Sequence, residues 1–216
     1  MKKALIVYGG WDGHEPEPCA RLAADILRKE KFEVELSASL DSFKDAGKMA
    51  ALSLVIPVWT MGQIQGEQAA GLMGAVRAGV GIAGWHGGMC DAFRSDTDYQ
   101  FMTGGQFVAH PGGIIDYTVN IADAGHEITR GMRDFEVRSE QYYMHTDPGN
   151  KVLATTTFSG AHGGADWISG TVMPVAWVRR YGKGRVFYSS LGHVAAEFDV
   201  PEVRELTRRG MLWAAR

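Results

Sequence analysis

The sequence predicts an α/β protein with a mostly parallel sheet flanked by helices. Short apolar runs alternate with segments whose apolar residues recur at helical spacing, which is the pattern of parallel strands joined by helical crossovers. Residues 52–59 and 80–83 are almost continuously apolar, as is typical of strands buried on both faces. With 216 residues, 45% of them hydrophobic, the chain is long enough to bury a core as one domain, and we expect a single domain over residues 1–216.

The first half of the chain alternates strand and helix. Residues 4–8 predict a strand that ends in a Gly-Gly turn, and the apolar positions from about Pro16 onward follow one face of a helix. Residues 32–40 alternate as a strand does. Apolar positions over 69–76 then supply a second helical stripe between the two buried strands, so the order agrees with a flavodoxin-like sheet.

The second half predicts extra β structure. Residues 114–121 and 135–144 are strand-like and have no long amphipathic helix near them, so this middle segment is expected to cover one end of the sheet. Further strands are predicted at residues 151–158, 172–178 and 184–190. A closing helix is predicted from Pro201 to about Trp213.

Composition excludes several classes of partner. The chain has 22 basic and 25 acidic residues and a net charge of −3. Because the two signs are mixed along the sequence, no basic face is set aside for nucleic acid or an anionic membrane. No apolar run is long enough for a signal peptide or a membrane span, and Cys19 and Cys90 do not form a ligand or disulfide pattern. We therefore expect a cytoplasmic protein, with a homo-oligomer as the default assembly.

The stretch GWHGG places His86 directly after a buried strand. Gly84 and Gly88 flank it in the outline of a nucleophile elbow, in which glycines permit a strained strand-to-helix turn that exposes the central side chain. Here that side chain is an imidazole, and Cys90 lies four residues later. The motif therefore argues against a cysteine-dependent amidotransferase.

Polar clusters follow four of the predicted strands. In open parallel sheets, binding sites collect outside the carboxyl ends of the strands. The residues expected to converge on one crevice there are His14, Trp59, His86 and His193. A fifth polar cluster, residues 139–147, is expected to form a wall of the crevice.

Four longer stretches resemble a known family. They are GWHGGMCDAFR at 84–94, YQFMTGGQFVAHPGG at 99–113, SEQYYMHTDP at 139–148 and MPVAWVRRYGKGRVFYSSLGHVAAEFD at 173–199. In this order they resemble the ThuA-like family of trehalose-utilisation proteins. The resemblance covers nearly the whole chain and implies the class I glutamine-amidotransferase-like fold.

The resemblance also implies a role in sugar catabolism. Family members are associated with trehalose and related disaccharides, alongside dehydrogenases that oxidise the sugar to a 3-keto form. A keto-sugar is therefore the implied substrate, and a sugar dehydrogenase is an implied partner. A carbonyl at C3 acidifies the neighbouring C–H bonds, so an enzyme acting there needs a general base and an electrophile for the enolate oxygen. Enolisation would allow isomerisation or elimination of the glycosidic oxygen, so the expected enzyme is a keto-sugar isomerase, lyase or hydrolase.

His86 and His193 are the candidate catalytic residues, since an unperturbed imidazole titrates near neutral pH. Glu197 follows His193 by four residues and is a candidate to orient it. Asp91 and Arg94 follow His86 at about one helical turn and are candidates to fix its ring or to meet a sugar hydroxyl.

The other candidates for substrate binding are His14, Trp59, Glu140, Tyr142, Tyr143 and His145. Trp11, Trp59 and Trp85 stand at strand ends, where an indole can stack on a sugar ring. His110, within the turn signal AHPGG, is interpreted as structural.

The electrophile remains open between a second imidazole and a divalent metal such as zinc or manganese. His86, His193 and His145 with Glu140 would offer mixed nitrogen and oxygen ligands. No H-x-x-E-H or H-E-x-x-H spacing identifies a ligand set.

Two alternatives to a keto-sugar enzyme also remain. The first is a non-catalytic sugar-binding or dehydrogenase-partner protein. The second is an amidohydrolase or peptidase inherited from the fold, which the missing elbow cysteine disfavours.

Overall fold

A nine-stranded mixed sheet runs through the molecule, and a separate two-stranded sheet lies beside it. The computed structural model describes residues 1–216. The strands are β1 (Lys3–Gly10), β2 (Glu33–Ser37), β3 (Leu54–Thr60), β4 (Gly81–Trp85), β5 (Gly105–Ala109), β6 (Ile114–Ile121), β7 (Phe135–Glu140), β8 (Tyr143–Thr146), β9 (Lys151–Thr157), β10 (Val172–Tyr181) and β11 (Gly184–Ser189). The α-helices are α1 (Pro16–Lys29), α2 (Ala46–Ala51), α3 (Gly66–Ala78), α4 (His86–Cys90), α5 (Thr97–Thr103) and α6 (Pro201–Ala214).

The large sheet has a parallel half and an antiparallel half. Its order is β2-β1-β3-β4-β11-β10-β9-β6-β7. The pairings from β2 to β11 are parallel, and those from β11 to β7 are antiparallel. The predicted α/β fold with additional β structure in the C-terminal half is therefore confirmed.

Each face of the sheet carries its own hydrophobic core. Strand residues alternate between the faces, so Ile6 of β1 packs in the cluster that contains Leu27 of α1, whereas Leu5 packs in the cluster that contains Val76 of α3. Helix α6 covers the same face as α1, and α2, α3 and α4 cover the other. None of the helices combines the length and apolar character needed to cross a membrane.

The strand predicted over residues 135–144 is divided in the structure. Its first part is β7, the outer edge of the large sheet, and its second part is β8, which pairs with β5 in the small sheet. Gln141 and Tyr142 lie buried between them, and the Gln141 Nε2 donates to Thr156 Oγ1 at 2.8 Å. The middle segment thus extends the edge of the sheet through β6 and β7, instead of only covering its end as expected.

Candidate functional site

Three histidines and one glutamate converge at the ends of four strands. His14 follows β1, His86 begins α4 directly after β4, Glu140 ends β7, and His193 follows β11. One nitrogen or carboxylate oxygen from each residue lies within 4.8 Å of the others. We call these residues the four-donor group. The structure therefore brings together all three histidines that the strand-end rule placed in one crevice, and adds Glu140 from the expected wall.

His86 occupies a strained elbow. Its φ is 48°, a left-handed conformation that is uncommon for a residue with a side chain. The residues after it must be small, since a Cβ on Gly87 would lie 2.6 Å from the His14 ring and a Cβ on Gly88 would lie 3.2 Å from the Val58 Cα. The elbow outline seen in the sequence is thus present, with a buried imidazole at its centre.

The hydrogen bonds of His86 identify the state of its ring. Its Nδ1 lies 2.7 Å from the carbonyl oxygen of Ser190, which only accepts, so Nδ1 carries a proton and donates. Its Nε2 lies 3.1 Å from Glu140 Oε2 and 3.2 Å from His193 Nδ1. The ring of Tyr142 stacks on the imidazole with the ring centroids 4.0 Å apart. In its neutral form, His86 therefore directs a lone pair at the carboxylate.

The other two imidazoles face the same carboxylate oxygen. His193 Nδ1 lies 3.4 Å from Glu140 Oε2, and His14 Nε2 lies 4.0 Å from it. The second nitrogen of His14 is held by Thr60 Oγ1 at 2.9 Å. Glu140 is thus the centre of the group, and the sequence indicated it both as a substrate-binding residue and as a possible metal ligand.

The chemistry of the donors fits a divalent cation. A carboxylate and the lone pair of a neutral imidazole are both acceptors, and a shared cation or proton stabilises them at short range. His86 Nε2, His193 Nδ1 and Glu140 Oε2 are separated from one another by 3.1, 3.2 and 3.4 Å. Ligand atoms that lie about 2.1 Å from a tetrahedral metal are expected to be about 3.4 Å apart, which is close to these values. The donation from His86 Nδ1 to a backbone carbonyl is the usual outer contact of a metal-bound imidazole. Nitrogen with oxygen suits zinc and also manganese.

The protonation states of the group follow from burial and from mutual contact. Burial, with the neighbouring His86 and His193, lowers the pKa of His14 to about 3. Burial alone would raise the pKa of the Glu140 carboxyl, but contact with the imidazoles of His193 and His86 outweighs it and holds that pKa well below its ordinary value. The hydrogen bond to Glu140 raises the pKa of His193. Near neutral pH, Glu140 is therefore ionised and His14 is neutral.

Glu197 contacts the backbone of His193 and not its ring. Its carboxylate accepts from the amides of Gly192 at 3.0 Å and His193 at 2.8 Å, and from Ser139 Oγ at 2.8 Å. The expected link between Glu197 and His193 is present, but it fixes the chain that carries the imidazole.

Asp91 and Arg94 pair with each other instead of fixing the ring of His86. The guanidinium binds the buried carboxylate twice, at 2.6 and 2.7 Å, and Gln106 Nε2 donates to the same carboxylate at 3.1 Å. The ring of His86 is held by Ser190 and Glu140, so the alternative of Asp91 as its partner is wrong. Arg94 is about half exposed and lies over the Phe107 ring.

Tyr143 and His145 lie outside the four-donor group. Side chains alternate along β8, so Met144 is buried while His145 is exposed and Tyr143 packs edge-on against Phe158 at 5.5 Å. The structure therefore does not bring His145 together with His86, Glu140 and His193, and the third histidine near them is His14. The difference from the expected ligand set arises because the strand predicted over residues 135–144 is interrupted after β7, so that the residues on either side of the interruption belong to different sheets.

His110 borders the group, although the sequence indicated a structural turn residue. Its Nε2 lies 3.7 Å from Glu140 Oε1, and its ring stacks against Phe107 and Tyr142 at centroid distances of 5.7 and 6.5 Å. Its Nδ1 is buried without a hydrogen-bond partner. The signal that identifies it is its place directly after β5, a strand that the sequence analysis did not recognise.

Of the three tryptophans at strand ends, one borders the four-donor group. Trp11 is 47% exposed and meets the His14 ring edge-on at 4.8 Å. Trp59 is half-buried and packs so closely on Gly62 that a Cβ there would lie 2.3 Å from its indole. Trp85 is buried against Phe198 and belongs to the core, so it offers no stacking face.

The cysteine after the elbow is a core residue. Cys90 is fully buried, and burial raises the pKa of its thiol. A thiol in such surroundings lacks the thiolate character that a cysteine nucleophile needs. The chemistry of this site therefore depends on imidazole and carboxylate groups.

Solved structures share the fold. A ThuA-like protein from Bacteroides uniformis is 16% identical with a TM-score of 0.81, over 99% of this chain and 91% of that chain. A ThuA-like protein from Parabacteroides merdae is 18% identical with a TM-score of 0.79, over 99% and 89%. A cytoplasmic protein from Salmonella typhimurium is 10% identical with a TM-score of 0.70, over 99% and 100%.

The family match extends over almost the whole sequence. No curated protein matches the chain. The model of the ThuA family, described as trehalose utilisation, matches residues 3–214. The chain therefore belongs to the ThuA family.

Proposed function

We propose that the chain is a sugar-catabolic enzyme that acts on a 3-keto-disaccharide or a related keto-sugar, by metal-assisted isomerisation or cleavage next to the carbonyl. The observation that carries the proposal is the four-donor group at the end of the sheet where such folds collect their sites. The family's description, trehalose utilisation, supports a disaccharide as the source of the substrate.

His14, His86, Glu140 and His193 would hold a zinc or manganese ion. When bound, such an ion would polarise the keto oxygen and stabilise the negative charge that develops on it. The partial exposure of His193 and Glu140, 13% and 11% of their side chains, supports access of a small molecule to this face of the group.

The general base is then a group outside the four donors. His110 suits the task because 40% of its side chain is exposed and its Nε2 faces the group. Its Nε2 would accept the proton from the carbon beside the carbonyl, and the electron pair of that C–H bond would form the enolate double bond. Return of a proton to the other carbon of that double bond, while the hydroxyl on the first carbon passes its proton to the former keto oxygen, gives an isomer in which the carbonyl has moved by one carbon. Departure of the glycosidic oxygen from the next carbon, with its electron pair, gives cleavage.

Residues at the rim would bind and orient the sugar. Arg94 keeps N–H groups free beyond its two bonds to Asp91, so it can donate to a hydroxyl. Trp11 offers an exposed indole beside His14. Tyr142 packs on His86 and on Phe107, which excludes water from the inner side of the four-donor group.

The test is a proton NMR time course with 3-keto-trehalose and added zinc in deuterium oxide. The expected result is loss of the signal from the hydrogen on the carbon beside the carbonyl, because deuterium replaces it, or appearance of the signals of a new sugar. The matched variants are His193→Ala, which should abolish the change, and His126→Ala, which removes an imidazole beside Trp213 and should leave it intact. An unchanged spectrum despite binding would contradict catalysis and favour the sugar-binding or dehydrogenase-partner alternative.

A further inference from the structure

We infer that Glu197 is a positioning residue of the candidate metal centre, which it serves by tying the segment that carries His193 to the strand that carries Glu140. The inference rests on the proposed four-donor metal site. The segment concerned is residues 190–197, which we call the β11 loop.

The β11 loop carries His193 and contacts the segments that carry the other three donors, two of them through its backbone. Ser190 accepts the hydrogen bond from His86 Nδ1 through its carbonyl oxygen. The amide of Ala195 donates to Glu15 Oε2 at 3.0 Å, and Glu15 is the neighbour of His14 in the chain. The position of this loop therefore determines how the donors face one another.

Glu197 makes the remaining connection, to β7. Its Oε2 accepts from the His193 amide and from the Ser139 hydroxyl, both at 2.8 Å, while its Oε1 accepts from the Gly192 amide at 3.0 Å. Ser139 directly precedes Glu140, so one carboxylate joins the chain neighbours of two proposed ligands. The carboxylate is buried, and hydrogen bonds to a buried charged acceptor are short and geometrically demanding.

Both oxygens of Glu197 are needed. A glutamine at this position has the same size but only one acceptor oxygen, and its amide nitrogen is a donor. In Glu197→Gln, that nitrogen would meet either the Gly192 amide or the pair of donors from His193 and Ser139. The β11 loop would then have to shift, and changes around metal ligands of this kind typically cost about 10- to 100-fold in metal affinity.

The experiment is a cobalt(II) titration of the full chain, followed by visible absorption, because the absorption of cobalt reports the geometry of its ligands. We expect Glu197→Gln to bind cobalt about 10- to 100-fold more weakly than the wild type and to give a changed spectrum. Asp134→Asn is the matched control, since Asp134 also accepts from a backbone amide and a side-chain amide, those of Ile121 and Asn120, at the opposite end of β7. It should bind cobalt as the wild type does.

Ser139→Ala keeps the inference testable if Glu197→Gln does not fold. This variant removes one hydrogen bond and keeps the charge, so a severalfold weaker affinity is expected. Wild-type affinity and spectrum in the Glu197 variant, or in the Ser139 variant when the first does not fold, would overturn the inference alone. A wild-type chain that binds no cobalt would overturn both the metal centre and the inference. Failure of sugar turnover would leave the result intact, because the readout needs no substrate.

Discussion

The Nε2 of His86 and the Nδ1 of His193 lie 3.2 Å apart, although 107 residues separate them in the chain. The proton on the other nitrogen of His86 is already donated to the Ser190 carbonyl. Two ring nitrogens and the Glu140 carboxylate therefore share one small space, and only a cation or a proton between them makes that arrangement favourable.

The first prediction concerns the strained elbow. Both His86→Ala and His86→Gly should lose cobalt or zinc binding, because both remove a donor nitrogen. The glycine variant should nevertheless be more stable than the alanine variant by about 1 kcal/mol, since φ at this position is 48° and a left-handed residue with a Cβ costs roughly 1–2 kcal/mol. Urea unfolding of the two variants measures the difference, and equal stabilities would contradict strain at residue 86.

The second prediction is a stabilisation by zinc that requires Glu140. Because the ion binds only the assembled group, zinc at about 100 times its dissociation constant should add about 2.7 kcal/mol to the free energy of unfolding. Glu140→Gln should unfold at the same temperature with and without zinc. Glu136→Gln, an exposed residue of the same strand, should keep the effect. Thermal unfolding followed by circular dichroism is the measurement, and a zinc effect that survives Glu140→Gln would exclude this carboxylate as a ligand.

The third prediction separates proton transfer from metal binding. His110→Ala should bind zinc with near wild-type affinity, because His110 is not one of the four donors. Its kcat should fall by about 10²- to 10⁴-fold, the usual contribution of a general acid or base. Isothermal titration with zinc and the NMR assay of turnover give the two values. A loss of zinc affinity as large as the loss of kcat would show that His110 acts through the metal centre instead.

The fourth prediction concerns the indole at the rim. Trp11→Ala should raise KM for the keto-disaccharide about tenfold, roughly 1.4 kcal/mol, and leave kcat nearly unchanged. The reason is that Trp11 is exposed beside His14 but does not contact Glu140 through a polar atom. Trp167→Ala is the control, since Trp167 is 79% exposed and lies in the short segment Asp166–Ile168, which carries none of the four donors. A similar rise in KM in both variants would show that Trp11 is not part of the binding surface.

The fifth prediction is a pH dependence outside the site. Arg208 and Arg209 both bind Glu205. Their hydrogen bonds, of which the one from Arg208 has the larger effect, lower the pKa of the Glu205 carboxyl to about 2. A depressed pKa stabilises the fold above the ordinary value for glutamate, and the stabilisation is lost as the pH falls toward 2. Glu205→Gln should therefore be less stable than the wild type at pH 7 and equally stable near pH 2. Denaturant unfolding at both pH values checks this, and a difference that persists at pH 2 would contradict the charge effect.

Local sequence patterns were sufficient for the parallel half of the molecule. The apolar runs of β3 and β4 and the stripe of α3 are continuous in the chain, so periodicity identifies them. The rule that sites collect at the carboxyl ends of parallel strands then placed His14, His86 and His193 correctly near one another. Those predictions needed only contacts that the strand order implies.

Local patterns were insufficient where pairing is non-local. Residues 135–144 contain no turn signal such as glycine or proline, but the chain changes partner from β6 to β5 at Gln141 and Tyr142. That change orients Glu140 toward the histidines and leaves His145 in the solvent, and nothing in the spacing records it. His110 was missed for the same reason, since β5 is recognisable as a strand only through its pairing with β8.

The four donors come from four separate stretches of the chain, of which the last follows β11. During synthesis, the ribosome releases His14 first and His193, which lies within the β11 loop, nearly 180 residues later. A nascent chain therefore has no complete ligand set until His193 has been made. Capture of a cation in the native arrangement would therefore require the chain up to His193, and the ion could not template the folding of the first strands.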